Sequence, residues 1–310
     1  MKKAAISIGD LNGIGFEISI AAHKRTLALC QPIYCVSRVM AQKACELLGR
    51  KLPDDYECVG KEGEFNIRAG EIDPVSAAAS FESFVQAVDL CEDKEAHSVV
   101  TLPISKAAWK SAGIGYRGHT DYLKKRFGAG IMMLGCAKRF VALFTDHIPL
   151  SEVADAVRFE ALRDFLLSFS PLAPEGTIGV LGLNPHNGDN GAIGSEDSAV
   201  AKAVAAANEG LNKERFEGPI APDAAFTPPM IKRYRTVVAL YHDQGLSPLK
   251  ALFFHESINV TLGIPFARTS VDHGTAFDIA YKGKTPSVSS YLNAVSAAVN
   301  GTFHGSAKIL

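Results

Sequence analysis

The sequence predicts an α/β protein built on a mainly parallel sheet. Short β-branched runs alternate with longer segments of helical periodicity, the first such pair is joined by a glycine-rich turn, and several apolar runs end abruptly in His, Asp or Asn. Runs of that last kind read as buried strands that deliver polar groups to the carboxyl edge of an open sheet, where α/β proteins bind ligands. A chain of 310 residues, 47% hydrophobic and 21% charged, suffices for one large or two medium globular domains. Its net charge of -1 gives no field for nucleic acid or an anionic membrane, so an anionic ligand needs a local cluster of cations. No apolar run approaches the roughly 20 residues that span a bilayer, and the start is too brief for a signal peptide. Cys30, Cys35, Cys45, Cys58, Cys91 and Cys136 include no C-x-x-C pair, which points to reduced thiols in the cytoplasm.

Lys3 to Ile8 reads as the first strand, Gly9 to Gly15 as a turn and Phe16 to His23 as a helix. The turn is no Rossmann fingerprint, because Gly13 and Gly15 lack a third glycine and no acid follows at ribose distance. Anion binding by its amides and a tight turn without a ligand both stay open. Pro32 to Val36 is the next strand, Ser37 caps a helix to Leu48, and Phe81, Phe84, Val85, Val88 and Leu90 mark a helix over Ser76 to Cys91. Ser98 to Thr101 is a short strand, and Thr120 is a candidate N-cap within Gly118 to Leu123. Ile131 to Leu134 and Phe140 to Thr145, linked only by Gly135 to Arg139, read as an antiparallel hairpin and hint at a second lobe with its own sheet. Arg158 to Ser170 and Asp197 to Asn208 are helical, with the strand Thr177 to Leu183 and a loop of turn formers, Asn184 to Gly191, between them. The strand Thr236 to Leu240 runs into Tyr241-His242-Asp243-Gln244-Gly245, with Lys250 one short loop later. Ile258 to Leu262 is a strand, Arg268 to Gly274 a polar loop, and Thr275 to Tyr281 and Val288 to Val299 are helices.

Three histidines share one context: His147 in T-D-H, His186 in N-P-H and His242 in Y-H-D each follow an apolar strand. If those strands lie in one sheet, the imidazoles converge at its edge with an open coordination position, as a catalytic divalent metal requires. Three separate hydrogen-bonded loop histidines are the alternative. His23, His97 and His304 read as surface or structural and His255 as a strand or core-edge residue, while His273 in D-H-G stays open between a nucleotide and a structural role. Lys250, Asn259 and Arg268, each at an element end, offer two cations and an amide to a phosphate or carboxylate; solvated surface charges are the alternative.

The motifs I-G-D-x-x-G-I-G from Ile8, G-H-T-D at Gly118, M-M-L at Met132, T-D-H-I-P-L at Thr145, L-N-P-H-N-G at Leu183, Y-H-D-Q-G-L at Tyr241 and N-V-T-L-G-I-P-F-A-R-T-S-V-D-H-G-T-A from Asn259 cover nearly the whole chain. In them the sequence resembles the family of 4-hydroxythreonine-4-phosphate dehydrogenase, an oxidative enzyme of pyridoxal 5′-phosphate biosynthesis. The resemblance implies a two-lobed fold similar to isocitrate and isopropylmalate dehydrogenases, with mixed sheets flanked by helices and an active site in the cleft between lobes. It implies an outer lobe of residues 1–115 and 270–310, and a central lobe of 116–269 carrying the interface of a homodimer whose sites draw on both subunits. The metal ligands would be His147, His186 and His242, holding zinc, magnesium or cobalt. Substrate contacts would be His119, Thr120, Asp223, Lys250, Asn259 and Arg268, with Lys250 or Asp243 relaying protons. Asp272, His273 and Gly274 are the candidate contacts to NAD or NADP.

The implied reaction is oxidation and decarboxylation of 4-phosphohydroxy-L-threonine to 3-amino-2-oxopropyl phosphate. Leu11 and Phe16 replace prolines usual in that family, and Gly191-Ala192-Ile193-Gly194 stands where a second histidine is common. These departures keep threonate or erythronate 4-phosphate open as substrates. A phosphotransacetylase-like acyl transferase and a catalytically inactive metabolite-binding protein are the rival classes.

Overall fold

The computed structural model describes residues 1–128, 130–284 and 286–300. Within them the chain divides into two compact units, Met1–Gly130 with 258–300, and Ile131–Ser257. Compared with the expected edges at 115 and 270, the first unit also holds the helix His119–Phe127 and the hairpin from Ile258 to Val271. His304 lies outside the described residues, as does the end of the expected outer lobe. In chain order the strands are β1 (Lys3–Ser7), β2 (Gln31–Cys35), β3 (Cys58–Val59), β4 (Ser98–Thr101), β5 (Ile131–Cys136), β6 (Arg139–Leu143), β7 (Ile178–Leu181), β8 (Phe216–Ile220), β9 (Thr236–Ala239), β10 (Ile258–Leu262) and β11 (Ala267–Val271).

In the first unit the strand order is β3-β2-β1-β4-β11-β10, parallel except for the antiparallel pair β10 and β11. Helix Pro74–Glu92 starts where the Asp73 carboxylate accepts from the amides of Val75 and Ser76 at 2.8 and 3.0 Å. It buries Phe84, Ala87, Val88 and Cys91 in a core shared with Ala5, Val99, Trp109 and Leu123. In the second unit the order is β5-β6-β9-β7-β8, with the expected antiparallel hairpin β5–β6 followed by parallel pairs. Every residue of β6, β7 and β9 is buried, which is why these strands read as apolar runs once Arg139 at the start of β6 and Thr236 at the start of β9 are set aside.

Local structure departs from the sequence reading in several places. The stretch after Tyr241 is the helix His242–Phe253, with Pro248 inside it. Gly245 and Pro248 resemble turn formers, but Gly245 lets the helix press on the sheet: a Cβ there would lie 2.8 Å from Ala239 Cβ. Leu246 and Leu249 fill the core beside it. Helix His119–Phe127 begins one residue before Thr120, with Gly118 as N-cap, so Thr120 does not cap it. Arg268 to Val271 belongs to strand β11, not to a loop. Thr275 to Tyr281 forms turns instead of a helix, since Ala276 and Tyr281 take φ of 45° and 57° and the segment is tied to the first turn. Ile14 N donates to Thr275 O, and the Tyr281 hydroxyl donates to Leu11 O.

Gly245→Ala tests this close approach. On helix propensity alone the change would stabilise by about 1 kcal/mol. Contact with the Ala239 methyl, fixed to strand β9, should instead cost about 1–3 kcal/mol and lower the urea midpoint. A raised midpoint would contradict the packing.

Candidate functional site

The second unit sets its polar residues at the carboxyl ends of neighbouring parallel strands. β9 lies between β6 and β7, and the segments that follow these three carry His242, at the start of a helix, His147 and His186 respectively. Sheet pairing continues past the end of β6: Phe144 N donates to Ala239 O at 2.9 Å and Thr145 N to Leu240 O at 3.2 Å. The Thr145 hydroxyl adds a bond of 2.6 Å to Leu240 O. This tether holds the 145–147 loop beside the start of helix His242–Phe253, and the rings of His147 and His242 have centroids 5.4 Å apart.

His242 Nδ1 lies 2.6 Å from Asp243 Oδ1. A carboxylate only accepts, so in the neutral ring Nδ1 carries the proton and Nε2 presents its lone pair, the arrangement that carboxylates impose on metal-binding histidines. Two adjacent imidazoles, one so oriented, fit two positions of a divalent ion. His186 follows β7 in a run of left-handed backbone, with φ from 44° to 79° over residues 186–190. Buried Asp197 holds the base of this loop, accepting from the amides of Leu183 and Asn184 at 2.7 and 3.0 Å. Asn187 Nδ2 donates to Pro219 O at 2.9 Å. Among the described residues no three His, Cys, Asp or Glu side chains are grouped as a metal site, so the structure pairs His147 with His242 and does not bring His186 to them. Asp197 escaped the sequence reading because an acid in the first turn of a helix is ordinary there.

Asp223 is exposed on the short helix Pro222–Ala225 after β8, the strand next to β7. Asp243 is also exposed, and Lys250 is half-buried on the same helix as His242. Eight residues of helix place its Cα about 12 Å along the axis from that of His242, so the two occupy separate parts of one rod.

In the first unit His119 opens helix His119–Phe127 and its ring packs on Phe84 and Trp109, at centroid distances of 4.4 and 5.4 Å. Its Nε2 is buried without a hydrogen-bond partner. Burial, then the positive charges of Arg268 and Lys106, hold the imidazole well below its ordinary pKa, hence neutral. Arg268 is only 2% exposed. Its guanidinium donates to Thr261 Oγ1 at 3.1 Å and Thr101 Oγ1 at 2.7 Å, while Nε is left unpartnered. Burial lowers it to about 9, which leaves it charged at neutral pH. Asn259 Oδ1 is likewise buried and unpartnered, and Thr120 is half-buried beside His119. A buried cation and polar atoms without partners are what an anionic ligand with hydroxyls would satisfy.

Asp272, His273 and Gly274 follow β11. Asp272 N donates to Ser290 Oγ at 3.2 Å, and His273 Nε2 is buried without a partner. The glycine-rich turn spends its amides internally: Asp10 N donates to Pro103 O, Asn12 N to Asp10 Oδ1 and Ile14 N to Thr275 O. It is a tight structural turn. A cavity of about 760 Å³ beside it, lined by Ile8, Val36, Met40, Phe65, Glu82 and Gln86, contains none of the expected site residues.

Among the remaining histidines, His23 is structural, with Nδ1 2.9 Å from the Tyr34 hydroxyl and Nε2 3.1 Å from Asp55. His97 Nδ1 accepts from Lys3 N. His255 is exposed beyond the end of its helix and not in a strand or at a core edge, its ring lying against Phe254.

A family model described as pyridoxal phosphate biosynthetic protein PdxA matches residues 28–298. A protein of Sulfurimonas denitrificans named 4-hydroxythreonine-4-phosphate dehydrogenase is 50% identical over 298 residues, covering 96% of this chain and 97% of that one. A protein of the same name from Campylobacter fetus is 46% identical, covering 96% and 98%. A crystal structure of 4-hydroxythreonine-4-phosphate dehydrogenase from Klebsiella pneumoniae aligns with TM-score 0.79 at 31% identity, covering 98% of this chain and 99% of that one.

The neutral state of His119 has a measurable sign. Its folded pKa lies below the ordinary 6.5, so the unfolded chain binds more protons there and stability drops as pH falls below that value. In phosphate-free buffer the unfolding free energy of the native protein should decline more steeply between pH 6.5 and about 5 than that of His119→Gln. Equal slopes would contradict the assignment.

Proposed function

The chain belongs to the family of the pyridoxal phosphate biosynthetic protein PdxA, and on that premise we propose that it oxidises and decarboxylates 4-phosphohydroxy-L-threonine with NAD or NADP and a divalent metal. The observation that carries this reading is the pairing of His147 and His242 at the ends of adjacent parallel strands. The ion, zinc, magnesium or cobalt, would be held by His147, His186 and His242 and would supply Lewis acidity to the substrate's oxygens. A nicotinamide cofactor would be held by Asp272, His273 and Gly274 and would supply the acceptor for a hydride from the hydroxyl-bearing carbon. Loss of the hydroxyl proton and then of CO2 leads, after protonation, to 3-amino-2-oxopropyl phosphate.

The chain's own residues bind, orient and move protons. Asp243 fixes the tautomer of His242, and Lys250 or Asp243 relays the protons released and taken up. The phosphate is bound by His119, Thr120, Asn259 and Arg268, with Asp223 and Lys250 as further substrate contacts. Because the phosphate is remote from the reacting carbon, its binding energy positions the substrate. The same reading includes a homodimer with sites shared between subunits, which allows the histidine triad to be completed across two copies. It also includes a cytoplasmic location. All six cysteines are free thiols, and among the described residues no helix is long and apolar enough to cross a membrane.

With 4-phosphohydroxy-L-threonine and NAD or NADP, absorbance of the reduced nicotinamide should rise, stop when EDTA is added and resume on adding zinc, magnesium or cobalt. Absence of turnover with every metal overturns the reading, and activity only with threonate or erythronate 4-phosphate moves it to those substrates. His242→Ala should lower metal affinity and kcat by about 100-fold or more with an unchanged circular dichroism spectrum. Unaltered metal content in that variant would remove His242 from the ligands.

A further inference from the structure

Arg268 is a buried guanidinium whose bonds end on hydroxyls, and burial lowers its pKa to about 9. Such a group is costly unless something anionic completes it. Strand β4 supplies one of its two partners, Thr101, and the chain then turns through Pro103 and Ser105 to Lys106. Lys106 reaches back over the N-cap of the next helix: a Cβ on Gly118 would lie 3.6 Å from Lys106 Cε. Gly118 directly precedes His119 and Thr120, so the lysine stem covers the helix end where the unpartnered His119 Nε2 is buried. The positive charges of Lys106 and Arg268 both bear on that imidazole.

We propose that Lys106 is a further anion ligand of the first unit, acting with His119 and Arg268 on the phosphate of the substrate, and that Thr101 and Thr261 are positioning residues for Arg268. The inference rests on reading His119 and Arg268 as phosphate ligands and is independent of the dehydrogenase chemistry. Arg268 offers fixed, directional donors and Lys106 a mobile point charge, so the pair can enclose a phosphate that enters past the exposed lysine. Thr101 and Thr261 occupy two donors of the fork from opposite strands, which fixes the guanidinium plane and leaves Nε for the ligand.

Calorimetric titration of the full chain with inorganic phosphate, in EDTA and without nicotinamide, tests this apart from turnover. The native protein should bind phosphate with an affinity that falls as salt rises. Lys106→Met should weaken binding by about ten- to a hundredfold and flatten the salt dependence, and Lys106→Arg should restore most of both. Thr101→Val should weaken binding through Arg268, with Thr101→Ser recovering it. Thermal midpoints of the Lys106 variants without phosphate should match the native protein, because the side chain is exposed. Native affinity in Lys106→Met overturns the role of Lys106. Native affinity in Thr101→Val overturns that of Thr101, and no phosphate binding by the native protein overturns the receptor itself. The nicotinamide assay reports separately, so a chain that reduces NAD but gives equal phosphate affinity in Lys106→Met would sink only this inference.

Discussion

Phosphate and metal chemistry aside, the second unit depends on how β6 stays bound to β9 beyond the regular sheet. The two amide bonds from Phe144 and Thr145, reinforced by the Thr145 hydroxyl, carry strand pairing to Leu240, two residues before His242. A side-chain hydroxyl and an amide of one residue therefore converge on a single carbonyl. Without that tether the T-D-H loop would be an ordinary surface excursion with its histidine free to wander. With it, two imidazoles from residues far apart in sequence lie with ring centroids 5.4 Å apart. The helix that begins at His242 is pinned as firmly, because Gln244 accepts from Leu240 N and donates to Gly182 O, joining the ends of β9 and β7.

The first unit solves a different problem, that of keeping positive charge inside a sheet. Arg268 lies in β11 with hydroxyls on both sides: Thr261 from β10 and Thr101 from β4. Threonine suits these positions because its branched side chain packs in a strand while its hydroxyl accepts a bond. His119 remains neutral beside this charge, and its ring packs as an aromatic against Phe84 and Trp109. The unpartnered atoms of the neutral imidazole of His119, the Asn259 amide and the buried Arg268 cation support the proposal that an anion binds there.

Much of this was legible in the sequence where one physical signal dominated. Strands buried on both faces announced themselves as apolar runs, and the β5–β6 hairpin was fixed by a link too short for anything else. The histidine pair was legible as context, a polar cluster at the end of each run. Where two signals competed, the reading failed. Gly245 and Pro248 carried the composition of a turn, yet the glycine serves close helix–sheet contact and the helix tolerates the proline in its interior. Thr275 to Tyr281 had helical composition, but its bonds to the Gly9 to Gly15 turn require left-handed residues that no local pattern predicts. The role of Asp197, which braces the His186 loop over a gap in sequence, is tertiary and leaves no local mark.

In the proposed function, imidazoles at neighbouring strand ends bind one divalent ion. Anomalous X-ray diffraction from crystals grown with cobalt or zinc tests it most directly. One strong peak per site is expected within bonding distance of Nε2 of His242 and of a ring nitrogen of His147, with His186 as the third ligand. A peak bound elsewhere, or His147 and His242 facing solvent with no ion between them, would contradict it.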